Sequence, residues 1–377
     1  MDRVRPPREA LRDLSPYDAK HLDAEVMLAS NENPLNLPGE LLDRLAEAVS
    51  EIPYNRYPDP MATRLREEIA EANGLEPANV LVGNGGDELI FDLVLAWGGP
   101  GRVVLDFPPT FAMYAIDAAA TESMLVQIPR RADFSIDDDA LFARLAEGDV
   151  DLIIIANPNN PTGTLVPETT LIDVLNSTDA LVVVDEAYFE FSRHTMRPHM
   201  SRHANLAILR TFSKAFSLAA LRAGYLLAHE DVIRELTKVR QPYSVNRFTQ
   251  AAARLVFRER PVFESVISQL LRNRDVLVHG LSEIPGVEVF PSEANFVLFR
   301  VEHASSVWRD LLKEHSVLVR DFSRTPGLED CLRVSVGTED EVRRFLAAME
   351  SIMSRRRAAA HFGVAAPSAR DEGEERA

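Results

Sequence analysis

The stretch Leu152-Ile-Ile-Ile-Ala-Asn-Pro-Asn-Asn-Pro-Thr-Gly163 runs directly from an apolar segment into a turn of asparagine, proline and glycine. Leu152 to Ala156 is apolar throughout rather than alternating, and so is Leu181-Val-Val-Val184. An unbroken apolar run of this length belongs to a strand buried on both faces, as in parallel sheets whose two sides are covered by helices. Val80–Val82, Arg102–Leu105 and Leu206–Leu209 read as further strands, with helix-like stretches between them. The fold class that follows is α/β, a mostly parallel central sheet flanked by helices.

Beyond Gln241-Pro242 the pattern changes. A long helical region from Ser244 to Leu281, interrupted at Pro261, leads to strands at Val287–Phe290, Asn295–Arg300, Val317–Arg320 and Cys331–Val336 and to helices near Ser305–His315 and Glu339–Met353. This is the pattern of a smaller α+β domain. A chain of 377 residues has room for two domains. The expected division is an N-terminal segment over 1–45 that packs with the small domain, a large domain over 46–245 and the small C-terminal domain over 246–354. A tail over 355–377, with its arginine run, alanines and acidic cluster, is expected to be disordered.

Apolar residues at 46% and charged residues at 26% fit a soluble globular enzyme. Subtracting 58 acidic from 41 basic residues gives a net charge of -17, which repels nucleic acid and anionic membrane surfaces and leaves small anionic substrates open. The single cysteine, Cys331, excludes an intrachain disulfide and a thiolate cluster. No secretory signal and no spanning apolar run is present, so a cytoplasmic location is expected. His194, His199 and His203 lack carboxylates or cysteines at metal-site spacing, so no metal is expected and they read as a solvated basic loop.

Chemistry concentrates where strands end. Thr211-Phe-Ser-Lys-Ala-Phe216 follows a strand and leads into Ser217-Leu-Ala-Ala-Leu-Arg-Ala-Gly-Tyr225. A lysine in a mostly apolar loop loses proton affinity, which makes its amine nucleophilic enough for a Schiff base. Ser213 and Arg222 could hold a phosphate while Lys214 holds an aldehyde. Val184-Asp-Glu-Ala-Tyr188 ends a buried strand, where open α/β sheets bind ligands. Asp185 could keep a pyridine nitrogen protonated, with Tyr188 on the same turn hydrogen-bonding the ring's phenolate oxygen. Asn157, after its own buried strand, is placed to donate to the same oxygen. Gly83-Asn-Gly-Gly-Asp-Glu-Leu-Ile90 joins a strand to a helix, and the amides of Gly86 and Asp87 are candidates for phosphate.

Asn157-Pro-Asn-Asn-Pro-Thr-Gly163, Asp185-Glu-Ala-Tyr188, Thr211-Phe-Ser-Lys214 and Arg222-Ala-Gly-Tyr225 stand in the order and approximate spacing of the fold-type-I pyridoxal-phosphate aminotransferases, which the chain resembles. Within that superfamily residues 14 to 353 look like the histidinol-phosphate aminotransferase family. The closer signature is Leu14-Ser-Pro-Tyr17, Ser30-Asn-Glu-Asn-Pro34, Asn55-Arg-Tyr-Pro-Asp-Pro60, Asp185-Glu-Ala-Tyr-Phe-Glu-Phe191, Val319-Arg-Asp321 and Leu332-Arg-Val-Ser-Val-Gly-Thr338. Where that family usually has Gly-Leu-Ala-Gly-Leu-Arg, this chain has Ser217-Leu-Ala-Ala-Leu-Arg222, with the separation of Lys214 and Arg222 kept.

The resemblance implies pyridoxal 5'-phosphate as cofactor, joined to Lys214 as a Schiff base, and catalytic roles for Lys214, Asp185 and Tyr188. Its phosphate would take Gly86, Asp87, Ser213 and Arg222, with Tyr57 reaching in from the second subunit of a homodimer; Phe111 would stack on the ring. Arg333 would clamp the substrate carboxylate, Arg320 and Tyr17 a distal phosphate, and Tyr243 would line the imidazole side. The implied reaction passes an amino group between histidinol phosphate and 2-oxoglutarate, giving glutamate, in histidine biosynthesis. An aromatic amino-acid aminotransferase shares the cofactor motifs, and a phosphothreonine decarboxylase resembles the family while releasing carbon dioxide. A non-enzymatic regulator on the same fold is the remaining class, and nothing before Leu14 is long enough for the DNA-binding domain such fusions carry.

Overall fold

The computed structural model describes residues 5–12, 14 and 22–361. In chain order the strands and helices are β1 (Val26–Leu28), α1 (Gly39–Ser50), α2 (Thr63–Asn73), β2 (Val80–Gly83), α3 (Gly85–Trp97), β3 (Val103–Asp106), α4 (Met113–Ala120), β4 (Met124–Gln127), α5 (Asp138–Leu145), β5 (Val150–Ala156), α6 (Glu168–Ser177), β6 (Leu181–Asp185), α7 (Phe189–Ser192), β7 (Leu206–Thr211), β8 (Gly224–Ala228), α8 (Glu230–Val239), α9 (Arg247–Arg258) and α10 (Glu264–Ser282). The last part comprises β9 (Val287–Val289), β10 (Phe296–Val301), α11 (Ala304–His315), β11 (Val317–Asp321), β12 (Cys331–Ser335) and α12 (Glu339–His361).

Seven strands form the large sheet in the order β2-β8-β7-β6-β5-β3-β4. Five of them run parallel from β7 to β4, and β8 alone is antiparallel to both its neighbours. Alternate side chains of a strand point to opposite faces, and here both faces are core. Ile153, Ile155, Val182, Val184 and Ile208 enter one buried cluster; Leu152, Ile154, Leu181, Val183 and Leu209 enter another, packed under α3, α4 and α8. The unbroken apolar runs are thus strands with no solvent side. β4, half exposed, and β8, which is buried throughout but begins at Gly224 within the Arg222-Ala-Gly-Tyr225 motif, escaped the sequence reading.

A second sheet, β1-β11-β12-β10-β9, is antiparallel except for the parallel pair β1 and β11. β1 therefore ties the segment before α1 to the C-terminal strands. α1 runs across position 46, where a domain boundary was expected, and packs on α9. α12 continues through residues expected to be disordered from 355 onward, as far as His361. Arg355 and Arg356 stabilise the extension by pairing with Glu314 and Asp310 of α11, so their charge holds the helix instead of ending it. The rest of the expected tail lies outside the described residues.

Cys331 opens β12 opposite Arg300 of β10, is fully buried, and burial pushes its thiol up to about 11. No helix among the described residues is long and apolar enough to cross a membrane.

Candidate active site

Topology alone brings most candidate residues together. β5, β6 and β7 are parallel neighbours, so Asn157, the Asp185–Tyr188 turn and the Thr211–Lys214 loop follow three adjacent carboxyl ends. β2 reaches the same edge beside Gly224, where β8 begins just after Arg222. The edge of an open α/β sheet at its strand carboxyl ends is where such folds bind ligands.

Between β2 and α3 a cradle forms. Gly85 has a φ of +83°, and a Cβ there would lie 2.7 Å from Arg222 Nη2. Arg222 Nη2 donates to Asp87 Oδ2 at 2.5 Å. The amides of Gly86 and Asp87 lie in the first turn of α3, where no helical carbonyl can accept from them. Ser213 Oγ accepts from Thr211 Oγ1 at 3.0 Å, so that bond leaves the Ser213 proton for an acceptor in the cleft. Two amides, a hydroxyl and a guanidinium make a donor set suited to a phosphate.

Asp185 is 7% exposed. Its Oδ2 accepts from the Tyr114 hydroxyl at 2.7 Å and its Oδ1 from the Ala187 amide at 3.0 Å. Burial pushes its carboxyl up to about 6, with the Tyr114 hydrogen bond opposing the rise. The turn is anchored from behind by Arg210, which donates to Glu186 Oε2 through Nε at 3.0 Å and Nη2 at 2.8 Å and lies 3.8 Å over the Phe189 ring. Asn157 Oδ1 accepts from the Val166 amide at 2.8 Å, which leaves Nδ2 as the end that can donate to a ligand. Phe111 is half-buried and meets Tyr114 edge-on at 5.6 Å.

Lys214 is half-buried and donates from Nζ to the Ser30 carbonyl at 3.0 Å. Burial first, and the Arg333 guanidinium second, bring its amine down to about 8. Arg333 donates from Nη2 to Ala29 O at 2.6 Å and from Nη1 to Asn160 Oδ1 at 2.5 Å, with its guanidinium about 5 Å from the Phe296 and Phe322 rings. Arg320 stands directly opposite Arg333 across β11 and β12, and such partners project from the same sheet face.

Tyr57 and Tyr243, expected to serve the cofactor phosphate and the imidazole side, stack on each other at 4.7 Å with both rings exposed. They form one surface unit, clamped by Arg247 donating to the Arg56 and Tyr57 carbonyls. Tyr17 lies outside the described residues.

A family model described as aminotransferase class I and II matches residues 24–349. The chain belongs to that family. A histidinol-phosphate aminotransferase of Carboxydothermus hydrogenoformans is 40% identical over 94% of this chain and 100% of its own length. Among solved structures, a histidinol-phosphate aminotransferase of Sinorhizobium meliloti in complex with pyridoxal-5'-phosphate has a TM-score of 0.82 and 25% identity over 88% of this chain and 92% of that one. An L-threonine-O-3-phosphate decarboxylase of Porphyromonas gingivalis has a TM-score of 0.78 and 27% identity, covering 87% and 99%.

Two groups in the cleft of this aminotransferase were not singled out from the sequence. Tyr114, fully buried, holds Asp185; burial keeps its phenol well above the ordinary range, so it stays a donor. Its spacing of three residues from Phe111 at the start of α4 was the available signal. The other is the segment Ala29-Ser-Asn31, whose carbonyls meet Arg333 and Lys214 and whose Asn31 donates to Tyr188. It was legible as a motif but not as a contact, because its partners come from both sheets.

Proposed function

We propose that this aminotransferase binds pyridoxal 5'-phosphate and passes an amino group between histidinol phosphate and 2-oxoglutarate, the step that serves histidine biosynthesis, as a homodimer. What carries the reading is the pair Arg320 and Arg333, opposite one another on the strand face that meets Lys214. Two guanidiniums side by side suit a phosphate dianion, or the two carboxylates of glutamate, better than the lone carboxylate of an aromatic amino acid. The named relatives agree with that preference.

When bound, pyridoxal phosphate supplies a ring that draws negative charge away from the substrate's alpha carbon. The residues do the rest. Gly86, Asp87, Ser213 and Arg222 would hold the phosphate and Phe111 the ring face. Asp185, kept in place by Tyr114, would carry the negative charge that holds a proton on the ring nitrogen. Asn157 and Tyr188 would donate to the phenolate oxygen. Lys214, with its amine down at about 8, holds a useful unprotonated fraction near neutral pH and would move a proton at Nζ between the alpha carbon and the far side of the transfer. Arg333 and Arg320 would orient both substrates in turn. The expected pairing of Tyr57 with a second subunit's phosphate extends to Tyr243, which stacks on it.

Arg320→Gln is the variant that tests the substrate. Its kcat/KM for histidinol phosphate is expected to fall about ten- to a hundredfold, the value of a hydrogen bond between charged groups, while that for phenylalanine stays within about threefold of wild type. Equal losses with both donors, or a wild-type preference for the aromatic donors in single-turnover spectra, would move the enzyme to the aromatic class. Carbon dioxide release from phosphothreonine without glutamate formation would assign it to the decarboxylases instead.

A further inference from the structure

Asn31 lies between the two sheets, 1% exposed, with a φ of +55°. Four of its groups are engaged. Its amide donates to Ser335 Oγ at 2.8 Å and its carbonyl accepts from Asn295 Nδ2 at 3.0 Å. Its side chain accepts from Ser335 Oγ at 3.1 Å through Oδ1 and donates to the Tyr188 hydroxyl at 2.9 Å through Nδ2.

The direction of this chain follows from which atom of the Asn31 side chain faces each hydroxyl. A serine hydroxyl has one proton and can accept twice. A backbone amide can only donate, so Ser335 Oγ is an acceptor toward the Asn31 amide; with Oδ1 of Asn31 facing it, its single proton goes to that oxygen. Oδ1 thus accepts at the Ser335 end of the side chain and Nδ2 lies at the other. Nδ2 then faces Tyr188 and must donate. The Tyr188 oxygen accepts in that bond, so the bond consumes a lone pair and not the phenol's proton. The carboxylate of an aspartate at this position would do the opposite.

We propose that Asn31 is a positioning residue which, through the one-way chain Ser335 to Asn31 to Tyr188, obliges the Tyr188 hydroxyl to offer its proton to the anionic oxygen of the group bound beside Lys214. The inference rests on the cofactor reading above. It also joins two parts of the site. Ser335 is two residues from Arg333 on β12, so both project from one strand face. Ala29, Ser30 and Asn31 in turn contact Arg333, Lys214 and Tyr188. The strand that clamps the substrate thereby also sets the hydrogen bond to the cofactor's oxygen.

The test is a pH titration of the visible cofactor absorbance in the loaded enzyme. Asn31→Gly suits it, since glycine accepts the positive φ and keeps the backbone bonds to Ser335 and Asn295. A proton donated to the phenolate favours the form in which the nitrogen of Lys214 has lost its own proton. Losing that bond is expected to raise the absorbance midpoint by about one pH unit, tenfold in the acid constant. Ser335→Ala, which frees the Asn31 amide to turn over, should move it the same way by less. In a Tyr188→Phe background Asn31→Gly should move it no further, because the effect runs through that hydroxyl. A wild-type midpoint in Asn31→Gly, or an equal shift with and without the Tyr188 hydroxyl, overturns the role of Asn31 alone. A wild-type protein that acquires no visible band from pyridoxal phosphate overturns the cofactor reading and this inference together.

Discussion

Lys214→Ala protein is expected to fold normally and to lose about four orders of magnitude in turnover, the upper end of what a positioned acid–base group contributes. The fold should tolerate the change because Lys214 is half-buried and its side chain donates to one carbonyl, that of Ser30. Its amine is brought down to about 8, so below that pH the folded chain carries a cation it disfavours. Removing it relieves that cost, and the melting temperature of the cofactor-free protein near pH 7 should stay level or rise. Above the ordinary lysine range, near pH 10.5, the relief should vanish. Steady-state transfer rates with a thermal melt at each pH check both halves. A variant that keeps more than about a hundredth of wild-type turnover would remove Lys214 from the chemistry.

Asp185→Asn is expected to separate stability from activity in the opposite senses. The carboxyl stands at about 6 instead of 3.8 in the cofactor-free fold, chiefly through burial. Below pH 4 it is neutral in folded and unfolded chains alike and costs nothing; as pH rises through about 6 the folded chain must ionise a group that prefers its proton. By pH 8 the difference amounts to roughly 3 kcal/mol of stability given up. Asparagine has nearly the same shape and no charge, so the cofactor-free variant should melt higher at pH 8 and match wild type near pH 4. Turnover should fall roughly a hundred- to a thousandfold, as when one preorganised electrostatic partner is removed from an active site. Melting curves at the two pH values and one rate measurement suffice. A cofactor-free variant less stable at pH 8 would mean that the buried carboxylate is held by more than Tyr114 and the Ala187 amide.

The parts of this architecture that the sequence revealed are those in which one stretch of chain carries both signals. Leu152–Ala156 leads into Asn157, Leu181–Val184 into Asp185, and Leu206–Leu209 into Lys214, so strand burial and chemistry are read together. Residues that act through a partner from elsewhere did not declare themselves. Tyr114 supports Asp185 only once α4 is laid over the sheet, and Asn31 matters only because β1 crosses to β11 and brings it between Ser335 and Tyr188. Arg355 and Arg356 read as the start of a disordered tail because Glu314 and Asp310 are distant in sequence. β8 was legible by the same rule, since Tyr225-Leu-Leu-Ala228 is an apolar run as long as Leu181–Val184, and was missed because its first residues belong to the Arg222-Ala-Gly-Tyr225 motif.

The solitary Cys331 gives the molecule a chemical clock. Only a thiolate attacks a labelling reagent, and a thiol near 11 buried under β10 offers almost none while the strands are closed. Labelling of the intact protein should therefore be slow and should report how often that strand edge opens, whereas denatured chains should take up one equivalent at once. The cradle for phosphate sits on the other sheet. If pyridoxal phosphate bound there retards the labelling of Cys331, the two sheets breathe as one cooperative unit; if the rate is unchanged, the small sheet opens on its own.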